Sequence, residues 1–188
     1  MLPIFVVNNF GQFNHLIQRM LRDLDIEVRM VANTLQPEEV AAGCRGIILG
    51  GGPTLDRIGN GALYLDLGIP VLGICLGLHT IAAFRGGAVH PGTSGGYGHV
   101  DVEILEHDEI LAGYPDRIQV WASHADEVER VPPGFVRLAR SSICENEAIA
   151  DPDRHIYGLQ WHPEVSHTPD GRRVYENFDR ICREHGSS

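Results

Sequence analysis

The amino-acid sequence predicts an α/β fold, an open and mostly parallel twisted sheet flanked by helices. Two observations carry this expectation. Short apolar runs alternate with amphipathic stretches through the first half of the chain, and strands apolar on both faces belong to parallel sheets covered by helices on each side. Tight or abrupt turns close several of those runs, and open sheets of this kind build their sites beyond the carboxyl ends of the strands. At 188 residues the chain has the size of one globular domain. It carries no linker, repeat or low-complexity segment, so a single domain over residues 1–188 is expected.

The first strand is expected over Pro3–Val7, ending at the polar pair Asn8-Asn9. Leu16, Ile17, Met20, Leu21 and Leu24 recur at helical spacing, which predicts an amphipathic helix over Phe13–Leu24. A strand over Ile26–Val31, a short helix over Pro37–Ala42 and a strand over Gly46–Leu49 follow. Gly50-Gly51-Gly52-Pro53 then makes a turn that glycines tolerate most easily. A helix near Ala62–Leu67 leads to a strand over Pro70–Ile74, which breaks at Cys75 into a helix over Leu76–Phe84. The second half is richer in strands, expected over Val100–Leu105, Arg117–Trp121, Phe135–Ala139, Ala148–Ala150 and Ile156–Trp161. A last helix, Gly171–Glu184, carries Val174, Phe178 and Ile181 on one face.

Composition narrows the function. Apolar residues make up 43% of the chain and charged residues 21%, which suits a packed core and excludes a disordered tail, a collagen-like repeat or a disulfide miniprotein. All fifteen cations are arginine, and 25 acidic residues leave a net charge of -10. Such a surface repels phosphate backbones, so no nucleic-acid partner is expected. No apolar run reaches the roughly 18–20 residues that span a bilayer, and MLPIFVVNNF has neither a basic n-region nor a small-residue cleavage site. The expectation is a soluble cytoplasmic protein without membrane association. Cys44, Cys75, Cys144 and Cys182 lie far apart with no CxxC pair, which argues against zinc and for reduced thiols.

Three stretches carry chemistry. Gly73-Ile74-Cys75-Leu76-Gly77 follows a buried strand and opens a helix, the layout of a nucleophile elbow with cysteine in place of serine. The positive end of the following helix favours negative charge on that sulfur. Read alone, the stretch is also compatible with a buried cysteine in a turn. Trp161-His162-Pro163-Glu164 follows the last strand. Proline holds the residue before it extended, and residues i and i+2 of an extended stretch point the same way. Glu164 can therefore orient His162, and an oriented base beside a cysteine is what thiol catalysis requires. The alternatives are a surface His-x-Glu, or a metal site of His162, Glu164 and His167, which Pro163 and the lack of a fourth ligand disfavour. The turn at Gly51 and Gly52, with the amide of Leu76, can supply backbone N–H groups for an oxyanion. It lacks the Lys-Ser/Thr of a phosphate loop, and a plain structural turn competes with the oxyanion reading.

GGP, GICLG and QWHPEV, in this order and over nearly the whole chain, resemble the class I (triad) glutamine amidotransferases, whose fold is flavodoxin-like. The resemblance implies that Cys75 is the nucleophile, that His162 and Glu164 complete the triad, and that L-glutamine is the substrate. Within the class, NNFGQFNH, GGGPTLDRIGN, VWASHADEV, WHPEVSHTPDG and YENF are most similar to the stand-alone glutaminase subunits of archaeal-type GMP synthases. That branch implies no metal or organic cofactor for this half. It also implies an ATP-pyrophosphatase (synthase) partner that uses ATP and Mg to convert XMP to GMP. Two departures stand out. His79 occupies the position four after the nucleophile where the family commonly has glutamine; facing the pocket, it is expected to touch the substrate amide and to bind it more weakly, the other reading being a packed helical histidine with no substrate role. Gly95-Gly96-Tyr97-Gly98 has Gly96 where the family usually has an acidic residue.

His124 and Asp126 of SHAD are expected at the pocket mouth, at a partner contact or in a solvated loop. Trp121 and Trp161 are expected in the core or pocket wall. Rival readings are an ammonia-supplying component of another synthase, of the anthranilate or aminodeoxychorismate type, a cysteine-elbow hydrolase acting on other amides, and a non-catalytic regulator that docks a partner.

Overall fold

The computed structural model describes residues 1–92 and 96–188 with their side chains. Nine strands form one sheet: β1 (Ile4–Asn8), β2 (Val28–Ala32), β3 (Gly46–Leu49), β4 (Val71–Ile74), β5 (Ala88–Ile104), β6 (Arg117–Arg130), β7 (Val136–Ser141), β8 (Ala148–Asp151) and β9 (Ile156–Leu159). Their order across the sheet is β2-β1-β3-β4-β9-β8-β7-β5-β6. From β2 to β9 every neighbouring pair is parallel, and from β9 to β6 every pair is antiparallel. Four helices accompany them: α1 (Asn14–Asp23), α2 (Pro37–Gly43), α3 (Leu76–Phe84) and α4 (Arg172–His185).

The alternation of side chains along each strand decides which helix covers which face. Ile4 and Val6 of β1 pack with Ile17 and Leu21 of α1 and with Val174, Phe178 and Ile181 of α4. Phe5 and Val7 point the other way and pack with Val40 of α2 and Leu78 and Ile81 of α3. Because β1, β3, β4 and β9 lie between these two layers, their residues are apolar almost throughout, the signature of a parallel sheet buried on both faces. β2 is the exception. As an edge strand it leaves Arg29 exposed. Local chemistry sets the helix ends: α2 starts with Pro37 at its first position and a capping box in which the Gln36 amide donates to Glu39 Oε2 at 3.3 Å.

Three expectations needed revision. The stretch expected as a helix near Ala62–Leu67 is a 3-10 helix over Gly61–Asp66, of the same length but more tightly wound. The strands expected over Val100–Leu105 and Arg117–Trp121 extend to Ala88–Ile104 and Arg117–Arg130, because each pairs along its length with the other, with register shifts between Ala88 and Val89 and between Pro91 and Gly96. Long-range pairing of this kind overrides the polar residues that would end a strand locally. SHAD is accordingly part of β6 and not a solvated loop. Among the described residues no helix is long and apolar enough to cross a membrane.

Candidate active site

The sheet order brings the three chemical stretches together. β4 lies between β3 and β9, with parallel registers that align Leu49, Gly73 and Gly158. The glycine turn after β3, Cys75 after β4 and His162 after β9 therefore emerge side by side at the carboxyl ends of three adjacent strands.

Cys75 caps the N-terminus of α3 with φ 55° and ψ -103°, a left-handed conformation that costs a non-glycine residue about 1–3 kcal/mol. The surroundings hold it there. Its amide donates to the Leu159 carbonyl at 2.8 Å, and the His79 amide donates to its carbonyl at 3.1 Å. A Cβ on Gly73 would lie 2.5 Å from the Gly77 carbonyl carbon, and one on Gly77 would lie 2.2 Å from the Leu49 oxygen. Both glycines of GICLG let α3 sit against the strands closely enough for the sharp turn. The Cys75 sulfur donates to the Ser123 carbonyl at 3.6 Å and accepts from Gln160 Nε2 at 3.7 Å.

His162 and Glu164 are both buried. His162 Nδ1 donates to Glu164 Oε1 at 2.6 Å, so the other ring nitrogen is left for the sulfur. Burial opposes a charged imidazole, yet the Glu164 carboxylate, with hydrogen bonds to Cys75 and Glu164, outweighs it and pushes His162 up to about 10. The ring is fixed from several sides. The residue's backbone N–H donates to the Trp121 carbonyl at 3.0 Å, Thr168 Oγ1 donates to its carbonyl at 2.7 Å, and Phe13 packs edge-on at 5.1 Å. The second Glu164 oxygen accepts the Tyr175 hydroxyl at 3.2 Å. His167 stacks on Trp121 at 4.6 Å, and Nδ1 of His162 is already engaged by Glu164; a metal site of His162, Glu164 and His167 does not form. Among the described residues no three His, Cys, Asp or Glu side chains are grouped to hold a metal ion.

At the glycine turn the two candidate amides differ. The Gly51 N–H donates to Asn14 Oδ1 at 3.0 Å, and Asn14 Nδ2 returns a bond to the Gly51 carbonyl at 3.0 Å. Gly51 is thereby committed to holding the turn and is corrected as an oxyanion donor. The amides of Gly52 and Leu76 have no hydrogen-bond partner among the described residues. Two adjoining cavities open on Cys75. One, of about 250 Å³, is lined by residues including Phe13, Asn14, Gly52 and His162. The other, of about 220 Å³, is lined by residues including Leu76, His79, Tyr97 and His124.

His79 is in that wall, but its Nε2 is 2.8 Å from Gln160 Oε1. Burial lowers its tendency to protonate. His124 is buried as well, with Nδ1 donating to the Asp126 carbonyl at 2.8 Å. Gly95 of the stretch that departs from the family pattern lies outside the described residues. Gly96 pairs directly with His124 across the strands. Trp161 belongs to the core, and Trp121 is half-buried. Cys44, Cys144 and Cys182 are buried free thiols, and burial pushes Cys44 up to about 11. The residues missed in the sequence are Asn14, Ser123, Gln160 and Tyr175. Each sits inside one of the family-like motifs, but neither periodicity nor spacing gave it a role.

The profile of the glutamine amidotransferase class-I family matches residues 5–181. This chain belongs to that family. The glutamine-hydrolyzing GMP synthase subunit of Methanoculleus marisnigri is 68% identical over 184 residues, 98% of this chain and 100% of that protein. Its counterpart in Methanoregula boonei is 70% identical over 184 residues, with the same coverage. Among solved structures, a Thermoplasma acidophilum protein assigned to the same GMP synthase subunit superposes with a TM-score of 0.94 at 35% identity, covering 100% of this chain and 96% of that one. A Thermotoga maritima glutamine amidotransferase, 20% identical, shares the fold with a TM-score of 0.74 over 99% of this chain and 84% of its own. The chain is thus a class I glutamine amidotransferase with the α/β fold read from its sequence.

Proposed function

We propose that this amidotransferase is the glutaminase subunit of a GMP synthase. The hydrogen bond between His162 Nδ1 and Glu164 Oε1, with Cys75 on the far side of the imidazole, carries the reading. Glutamine binds with its side-chain amide over the sulfur. The Cys75 thiolate attacks the amide carbon, and the C=O electron pair moves onto oxygen, where the Gly52 and Leu76 amides stabilise the charge. Collapse of this intermediate breaks the C–N bond as His162 gives its proton to the departing nitrogen, releasing ammonia and leaving a γ-glutamyl thioester. His162 then takes a proton from water. The resulting hydroxide attacks the thioester, and the C–S bond breaks to give glutamate and the thiolate. Glu164 keeps the imidazole oriented and stabilises its charged form throughout.

No metal or organic cofactor takes part in these steps. The ammonia passes to a separate ATP-dependent synthase that aminates XMP to GMP with Mg, which accords with the GMP synthase names of relatives 68% and 70% identical. Free ammonia would be wasted, so glutaminase turnover is expected to stay low until that partner docks. Mixing the protein with the partner synthase, ATP, magnesium, XMP and glutamine tests the reading: GMP should form, and Cys75→Ala should abolish it while ammonium salts restore it. Equal glutamine turnover with and without the partner would refute the gating.

A further inference from the structure

We infer that His79 and Gln160 act as positioning residues for the nucleophile, the His79 imidazole locking the Gln160 amide so that its N–H is aimed at the Cys75 sulfur. The inference deepens the glutaminase reading and rests on it for its catalytic consequence. Gln160 is fully buried between the end of β9 and the start of α3. Its backbone is pinned by donation to the Glu147 carbonyl at 2.8 Å. Its side chain has one oxygen and one NH₂ to place. The oxygen accepts from His79 Nε2 at 2.8 Å, and the NH₂ donates to Cys75 Sγ at 3.7 Å.

The two contacts are linked through the chemistry of the amide. Burial lowers the tendency of His79 to protonate, and in the tautomer with its hydrogen on Nε2 the ring donates to the oxygen. Turning the amide over would face NH₂ against that N–H and carbonyl oxygen against the sulfur lone pairs, leaving two buried groups unsatisfied at a large cost. In that tautomer His79 selects the orientation in which the sulfur receives a donor. The sulfur is then held by Gln160 Nε2 as donor and by the Ser123 carbonyl as acceptor, while His162 approaches from the third side. An N–H donor gains strength as charge develops on sulfur, so the lock favours the attacking form over the resting one. The family's residue type at position 79 is glutamine, but this histidine turns its ring nitrogen to a neighbouring side chain, and its effect on glutamine is indirect.

The test uses His79→Leu, Gln160→Leu, the double variant and His79→Gln. It measures kcat and KM for glutamine, together with the rate at which iodoacetamide alkylates Cys75, followed by the mass of the Cys75 peptide. Each leucine variant should lower both kcat and the alkylation rate about tenfold, with KM within about twofold. The double variant should fall no further than either single one, and His79→Gln, whose amide can donate to Gln160 Oε1, should recover most of the loss. A raised KM with kcat and alkylation retained would overturn the inference in favour of direct substrate contact, and so would additive losses in the double variant. If a leucine variant fails to fold, Gln160→Glu takes its place, since it keeps the shape and turns an oxygen to the sulfur; undiminished alkylation there overturns the inference. Absence of glutamine hydrolysis in the unmodified protein with its partner synthase and substrates present would sink the glutaminase reading alone, because the alkylation series needs no glutamine.

Discussion

The Tyr175 hydroxyl of α4 donates to Glu164 Oε2 at 3.2 Å, the oxygen that His162 leaves free. Tyr175 is completely buried, and burial holds its hydroxyl protonated, so it can only support the carboxylate as a donor there. Glu164 is thus gripped at both oxygens, one by the base it orients and one by a helix that begins after the loop. Removing the hydroxyl frees one side of that grip. Tyr175→Phe should lower kcat for glutamine about tenfold, in keeping with roughly 1.5–3 kcal/mol for a hydrogen bond to a charged group, and should leave KM nearly constant. Steady-state kinetics checks this; an undisturbed kcat would show that the hydroxyl has no part in holding Glu164.

His162 is pushed up from 6.5 to about 10, so the fold stabilises its protonated form. The sign follows from linkage: this contribution is complete below pH 6.5 and is lost as pH rises through about 10. In Glu164→Gln the carboxylate that outweighs burial is gone. Proton resonances of the His162 ring should then titrate at much lower pH, and thermal denaturation should lose its downward slope between pH 6.5 and 10. A ring that still titrates near 10 in this variant would contradict the pairing.

Glu147 titrates in the opposite manner to an ordinary surface carboxylate. It is fully buried, and desolvation pushes it up from 4.5 to about 7 against the Ser141 hydroxyl, which donates to Oε1 at 2.7 Å. Its folded value is the higher one, so stability from this group is present below pH 4.5 and declines as pH rises through about 7. The span corresponds to about 3 kcal/mol. Glu147→Gln should flatten the dependence of Tm on pH between 4.5 and about 7; the same slope in both proteins would place the titration elsewhere.

Gly96 explains one departure from the family pattern. A Cβ there would lie 2.1 Å from His124 Nε2, so the imidazole occupies the space that a side chain at 96 would need. Restoring an acidic residue by Gly96→Glu should force His124 out of its site. The variant should lose about 1–3 kcal/mol, as overpacked cores do, and KM for glutamine should rise because the displaced ring lines the cavity at Cys75. Denaturant unfolding and steady-state kinetics test both effects, and a variant as stable as the parent would show that the ring has room to move.

Much of the parallel half is legible locally. Gly46–Leu49 and Leu76–Phe84 coincide with the observed elements, since both are bounded by strong punctuation and have one unambiguous period. β5 and β6 are less legible: their outer halves are strands only because they pair with each other. In the site, Cys75 and the His162–Glu164 pair were readable from strand–turn–helix spacing and from an i, i+2 relation. Tyr175 is 11 residues from Glu164, Asn14 is 37 from Gly51, and Gln160 is 85 from Cys75, separations at which no local period operates.

The sequence alone determined the alternation of strands and helices, the elbow at Cys75, the acid two residues beyond His162 and the family these motifs resemble, because each depends on neighbours a few bonds apart. Tertiary structure decided which glycine amide is free, why Gly96 must lack a side chain, and which buried groups steady the carboxylate and the sulfur. Those outcomes depend on hydrogen-bond partners and steric contacts that distant segments supply only once the sheet has set their order.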